Sequence, residues 1–121
     1  MSGFKDLEIY QIAFELALKV HFASLKLPKY ELYEQGSQIR RSSKGIKDTI
    51  SEGYGRRKYK QEYIRYLIFA QASCDEVHGQ LDMLIKTNPG IKEFPELLES
   101  YITLGKKINT YLQYVEKNWR T

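Results

Sequence analysis

The sequence contains few of the residues that cross-link or interrupt a chain. Among its 121 residues there are one cysteine, one tryptophan, three prolines and eight glycines. The lone Cys74 excludes an intrachain disulfide and fits a reducing compartment. The few prolines and glycines argue against a loop-rich or disordered chain. We therefore expect a single domain over residues 1–121, because this length suits one ordinary domain.

Long apolar runs are also absent. Lys5, Asp6 and Glu8 interrupt the N-terminal stretch, so it has no apolar signal-peptide core. The longest uncharged run within the apolar pattern, residues 66–74, is far shorter than the roughly 20 residues that span a bilayer. These absences predict a cytoplasmic protein that makes no contact with a membrane.

Motifs of catalysis or of metal binding are missing as well. His21 and His78 stand alone without the spacing of a metal site, and no base is implied beside Cys74 to make it a nucleophile. Gly53-x-Gly55 follows a predicted helix rather than a strand, which excludes a nucleotide-binding loop. The prediction is a protein that is not an enzyme and has neither a metal nor a cofactor.

Helical periodicity is what the sequence does contain, and no stretch alternates long enough to predict a strand. Helices are predicted over about residues 6–26 and 38–53, with Ser37 as the N-cap and Gly53-Tyr54-Gly55 ending the second. A third follows a short turn and a fourth begins near Phe94. The third has an unbroken 4-3 seam, formed by Tyr63, Leu67, Ala70, Cys74, Val77, Leu81 and Leu84. The predicted fold is all-α, an antiparallel up-down-up-down four-helix bundle.

The first helix carries two apolar stripes. One runs through Leu7, Tyr10, Phe14, Ala17, His21 and Leu25, and the other through Ile9, Ala13, Leu16, Val20, Ala23 and Leu27. Together they form an apolar surface wider than one neighbouring helix would cover. Because large exposed apolar patches are rare on monomers, we expect a homo-oligomer.

Positive charge is concentrated in residues 38–60. This stretch has eight cations and two carboxylates, a net charge of +6, whereas the whole chain is +4. Such a density can neutralise phosphates, and Tyr54, Tyr59 and Tyr63 could stack on exposed bases. The candidate nucleic-acid-binding residues are Arg40, Arg41, Lys44, Lys47, Arg56, Arg57 and Lys58.

Two other interpretations of the basic stretch stay open. It could be a solvated face with salt bridges between subunits, or Arg41 could pair with Glu52 or with a carboxylate on another helix. The protein would then be a structural scaffold or interaction module whose basic face contacts an acidic protein.

Two sequence pieces resemble a known family. Gln38-Ile39-Arg40-Arg41 and the stretch from Ile50 to Arg56 are similar to the small four-helix bundle proteins encoded in intervening sequences of bacterial large-subunit ribosomal RNA genes. The accessory variability determinant of diversity-generating retroelements is a relative. The resemblance covers nearly the whole chain. Gly45, Lys47, Thr49 and Ser51 depart from it, standing where the family usually has Ser, Pro, Asn and Ala.

The resemblance implies a closed homopentameric ring with a basic surface and no established enzymatic activity. The retroelement relative is thought to bind nucleic acid and a reverse transcriptase. The partners implied for this chain are therefore copies of itself, RNA or DNA, and a nucleic-acid enzyme.

Overall fold

The computed structural model describes residues 3–120, which are helical apart from short connections and contain no strand. After a short 3-10 turn at Phe4–Asp6 come five α-helices, of which the second is a single turn. They are α1 (Glu8–Ser24), α2 (Lys29–Leu32), α3 (Gln35–Gly55), α4 (Lys60–Thr87) and α5 (Glu93–Asn118). The predicted all-α class with four long helices is confirmed.

Each long helix packs against two others. α3 lies between α1 and α4, and α5 also contacts both α4 and α1. The helices therefore follow one another around a common core in the order α1, α3, α4, α5. α1 and α4 consequently lie diagonally opposite, and their outer faces point away from each other. No helix within residues 3–120 combines the length and the apolarity needed to cross a membrane.

The seam predicted for the third helix is the inner face of α4. All seven of its residues are buried, from Tyr63 to Leu84. α5 contributes its own buried seam through Leu97, Tyr101, Leu104, Ile108, Leu112 and Val115. The 4-3 spacing places these side chains on one side of each helix, which explains why the two seams meet in a single core.

The predicted N-cap of the basic helix was wrong, whereas its end falls within the predicted Gly53-Tyr54-Gly55 stretch. The helix begins at Gln35, two residues before Ser37, and Glu34 occupies the N-cap position. At its other end it continues through Gly53 to Gly55, and no glycine has a positive φ. Gly53 instead permits close packing, because a Cβ added there would lie 2.7 Å from the Cβ of Tyr66 on α4.

The two stripes of α1 have different environments. Ile9, Ala13, Leu16, Val20, Ala23 and Leu27 are all buried in the core. In the other stripe Ala17 is buried, but Phe14 and Leu25 are exposed, and so are Leu18 and Phe22 beside them. The outer face of α1 therefore keeps several large apolar side chains partly exposed to solvent.

Candidate nucleic-acid interface

The structure separates the predicted basic residues into two groups. Arg40, Arg41, Lys44 and Lys47 lie along the middle of α3. Arg56, Arg57 and Lys58 occupy the turn that leads from α3 into α4, and Arg65 joins them from the first turns of α4. We call Arg56, Arg57, Lys58 and Arg65 the corner cations.

Aromatic rings support the two arginines of the turn. The guanidinium carbon of Arg56 lies 4.8 Å from the centre of the Tyr66 ring, and that of Arg57 lies 3.9 Å from the Tyr54 ring. Arg57 also donates a hydrogen bond of 2.9 Å to the carbonyl oxygen of Tyr54. These cation–π contacts fix the direction of each guanidinium group, and both residues remain exposed to solvent.

The other corner cations have similar surroundings. The Lys58 Nζ lies 5.8 Å from the Tyr59 ring, and the Arg65 guanidinium carbon lies 5.3 Å from the Phe69 ring. Arg65 also pairs with Glu62 at 3.2 Å, while its side chain stays 57% exposed. Sequence reasoning missed Arg65 because it lies beyond the dense basic stretch. Its spacing of four from Phe69 on one helix was the signal that could have identified it.

An aromatic cluster lies beneath the corner. Tyr63 is fully buried, its hydroxyl lies 2.8 Å from that of Tyr111, and its ring lies 5.3 Å from that of Trp119. Burial raises the pKa of both Tyr63 and Tyr111, so the two hydroxyls stay protonated at neutral pH. The Trp119 indole Nε1 donates a hydrogen bond of 2.7 Å to the carbonyl oxygen of Arg57. The end of α5 thus holds the turn that carries the corner cations.

These contacts limit which tyrosines could stack on a base. Tyr63 is buried and Tyr54 already carries the Arg57 guanidinium against its ring. Tyr59, in contrast, is 61% exposed. Of the three tyrosines suggested for stacking, Tyr59 alone offers a largely accessible ring.

Arg40 is bonded within the bundle. Its two terminal nitrogens donate hydrogen bonds of 2.8 Å to Ser24 Oγ and 2.9 Å to the carbonyl oxygen of Leu32. A Cβ added at Gly36 would lie 3.0 Å from one of these nitrogens, so the glycine leaves room for the guanidinium group. Arg40 therefore joins α1, α2 and α3, through partners that the charge pattern could not indicate.

The remaining cations of α3 have weaker contacts. The Lys44 Nζ lies 3.4 Å from Nδ1 of His21 on α1. The Lys47 Nζ lies 2.6 Å from a carboxylate oxygen of Asp48 and 5.8 Å from the ring of Phe14. Arg41 is exposed, and no ion pair joins it to Glu52 or to any other carboxylate within residues 3–120.

Cys74 is a core residue. Its Sγ donates a hydrogen bond of 3.4 Å to the carbonyl oxygen of Tyr101. Burial raises the pKa of the Cys74 thiol to about 12, which keeps it in the neutral, weakly nucleophilic form. In the part of the chain that the structure describes, no three His, Cys, Asp or Glu side chains are grouped to hold a metal ion.

Comparison with known proteins matches the chain to a family. The model of a family described as 23S rRNA-intervening sequence protein matches residues 5–110, which include all four corner cations and most of the bundle. No curated protein was found to match the chain.

Proposed function

The chain belongs to the 23S rRNA-intervening sequence protein family, and from this premise we propose that it is a non-enzymatic, oligomeric protein that binds RNA or DNA through the corner cations. The observation that carries the proposal is the arrangement of four exposed cations, each within 6 Å of an aromatic ring. A planar guanidinium group donates two parallel hydrogen bonds to a phosphate, and a fixed orientation lowers the entropy lost on binding.

The corner cations favour contacts with the phosphate backbone over recognition of bases. The Tyr54 and Tyr66 rings already bear guanidinium groups, which leaves Tyr59 as the stacking surface among the predicted tyrosines. Guanine is read mainly by arginine and adenine by Asn or Gln, but the Arg56 and Arg57 guanidinium groups lie against tyrosine rings, and Gln61 is the one Asn or Gln between Arg56 and Arg65. We therefore expect binding with little dependence on nucleotide sequence.

The cations along α3 have unequal parts in this proposal. Arg41 is exposed and unpaired among the described residues, so it extends the phosphate-binding surface. Arg40 is assigned to holding the bundle together, because its donors are directed at Ser24 and Leu32. Lys44 and Lys47 lie against α1 and are at most peripheral contacts for a phosphate.

Oligomerisation is the second part of the proposal. Its support is the exposed apolar face of α1, since such patches on soluble proteins usually mark contacts with a partner. In a ring of the pentameric kind that the family resemblance implies, each corner would recur around the axis. Modest contacts from each subunit would then add through multivalency.

An antiparallel arrangement of the bundle belongs to the same proposal. Two cross-helix contacts support it. Gln80, late in α4, donates a hydrogen bond of 3.1 Å to Ser42, early in α3, whereas Gly53, late in α3, packs against Tyr66 early in α4. Contacts between opposite ends of two helices are those of antiparallel neighbours.

The test is a fluorescence-anisotropy titration of the wild-type protein with mixed-sequence RNA and DNA at two salt concentrations. We expect binding to every sequence and a steep loss of affinity as salt rises, because counterions are released from the phosphates. An absence of binding even at low salt would reject a nucleic-acid ligand. The basic surface would then be assigned to contact with an acidic protein.

A further inference from the structure

Tyr59 places a largely exposed aromatic ring within the group of corner cations. It follows Lys58 directly in the turn between α3 and α4, and it is 61% exposed. The Lys58 Nζ lies 5.8 Å from the centre of the ring, close to the limit of about 6 Å for a cation–π contact. A flat ring in this position is accessible to a ligand that the corner cations hold.

The backbone of Tyr59 is held on both sides. Its amide donates a hydrogen bond of 3.0 Å to the carbonyl oxygen of Arg56, and its carbonyl oxygen accepts one of 3.0 Å from the amide of Tyr63. Tyr59 occupies the N-cap position of α4, and its side chain makes no capping hydrogen bond. The ring therefore projects from a fixed backbone and has no capping role in α4.

The other aromatic rings of the corner are already engaged. The rings of Tyr54 and Tyr66 each carry a guanidinium group, at 3.9 Å and 4.8 Å, and Tyr63 is fully buried. The cation near the Tyr59 ring is instead a lysine, and this residue is exposed. An ammonium group on a flexible stem moves aside more readily than a planar guanidinium group that stacks on the ring.

A nucleic-acid base can stack on such a ring only where the face of the base is free. In a duplex the faces of internal bases are covered by neighbouring pairs, and unstacking them is costly. In a single strand these faces are accessible, and each base stacked on an aromatic side chain strengthens binding by about 5- to 150-fold. The gain depends little on sequence, because every base has a π-face.

The accessible cations form a compact patch rather than a row along a helix. Three of them occupy residues 56–58, and Arg65 joins them from α4. Of the cations along α3, Arg40 is bonded inside the bundle, whereas Lys44 and Lys47 lie against α1. A duplex is stiff over about 150 base pairs, so it would touch a compact patch over a short length only. A single strand can bend around the turn.

We propose that the corner binds single-stranded RNA or DNA, with a base stacked on Tyr59 and the adjoining phosphates bound by the corner cations. This inference rests on the nucleic-acid binding proposed above and names the strand state of the ligand. Charge alone predicts the opposite preference, because a duplex carries more phosphates per unit length than a single strand. A preference for single strands therefore separates stacking from electrostatic attraction.

The experiment compares one mixed-sequence oligonucleotide, free of self-complementary segments, as a single strand and as a duplex with its complement. Affinities are measured by fluorescence anisotropy across a range of salt, and circular dichroism verifies that each variant is folded. The variants are Tyr59→Ala and Tyr59→Phe, with Tyr30→Ala as the matched control. Tyr30 is 74% exposed and also follows a lysine, but it lies in α2, before α3 rather than after it.

The wild type should bind the single strand at least ~5-fold more tightly than the duplex. Tyr59→Ala should weaken binding to the single strand by about 5- to 150-fold and change binding to the duplex by less than about 2-fold. Tyr59→Phe should keep the wild-type affinities, because a phenyl ring stacks without the hydroxyl group. Tyr30→Ala should bind both ligands as the wild type does. No variant removes a cation, so each should keep the wild-type salt slope.

Four results would overturn the inference. In three of them the proposed nucleic-acid binding would stand: a wild type that binds the duplex as tightly as the single strand, an equal loss on both ligands in Tyr59→Ala, or an equal loss in Tyr30→Ala and Tyr59→Ala. The fourth is a shallower salt slope in Tyr59→Ala, which would show that the ring acts by holding Lys58 rather than by stacking. No binding of either ligand at low salt would reject nucleic-acid binding and this inference together.

Discussion

The arginines within α3 and those in the turn that follows it have different surroundings. Arg40, near the beginning, donates both terminal nitrogens to Ser24 and Leu32 within the bundle. Arg56 and Arg57, in the turn after α3, lie on tyrosine rings and remain exposed, and Arg57 donates one hydrogen bond to the carbonyl oxygen of Tyr54. A count of charge along the sequence treats the three alike. Their neighbours show that the first stabilises the fold, whereas the other two are available to a ligand.

The loss of stability expected on truncating a core side chain is the reference for the effects of the arginine substitutions. Leu81 is fully buried on the inner face of α4. Leu81→Ala should destabilise the protein by about 2–5 kcal/mol in chemical denaturation, through lost burial and a residual cavity. The exposed Lys86→Ala on the same helix should stay within about 0.5 kcal/mol of wild type. A cost for Leu81→Ala below about 0.5 kcal/mol would mean that the seam is not a packed core.

Removing Arg40 tests the structural side of the comparison. Arg40→Ala should lower the free energy of unfolding by about 1.5–3 kcal/mol, because it deletes charged hydrogen bonds to Ser24 and Leu32. Arg41→Ala removes the same charge from the next, exposed position and should change stability by less than about 0.5 kcal/mol. If urea denaturation gave the same free energy of unfolding for both variants, the hydrogen bonds of Arg40 would not stabilise the fold.

Two glycines of α3 test the packing that supports the corner. Gly53→Ala should destabilise by about 1–3 kcal/mol, since the new Cβ would overlap Tyr66, the residue whose ring carries Arg56. Gly45→Ala meets nothing within 4 Å and should stabilise by about 0.5–1 kcal/mol. Thermal unfolding of the pair provides the measurement. If both changes stabilise, the close approach of α3 and α4 is not required.

The smallest expected effect concerns the hydrogen bond that holds the corner. Trp119→Phe keeps an aromatic ring beside Tyr63 but removes the donor to the Arg57 carbonyl. We expect a loss of about 0.5–1.5 kcal/mol in stability. Hydrogen exchange at the turn should also become faster. Unchanged exchange there would show that the end of α5 does not restrain the corner cations.

The helices and their buried faces could be predicted from the sequence because the helical seams are regular. Every member of the Tyr63-to-Leu84 seam is buried, and the four long helices lie close to the predicted ranges. Helix ends were harder to predict. Serine is a common helix N-cap and glycine commonly ends a helix, but tertiary packing extends α3 beyond both Ser37 and Gly53.

The candidate site was predictable only in outline. The concentration of charge located the basic stretch, but the contacts of its side chains are set by residues distant in sequence. Ser24 lies 16 residues from Arg40, and Trp119 lies 62 residues from Arg57. Arg65 was missed because it enters the corner only after α4 folds against α3.

The most direct test of the central claim compares two variants with the same change in net charge. One variant replaces Arg56, Arg57 and Lys58 together with alanine. The other replaces three exposed lysines outside the corner with alanine, namely Lys29, Lys86 and Lys106. Each is titrated against mixed-sequence RNA and DNA across a range of salt. The corner variant should stay folded and bind every sequence more weakly, and its slope of log affinity against log salt should be shallower by about 2–3 on duplexes. The control variant should retain nearly the wild-type slope. Equal losses in both variants, or wild-type binding by the corner variant, would contradict the account.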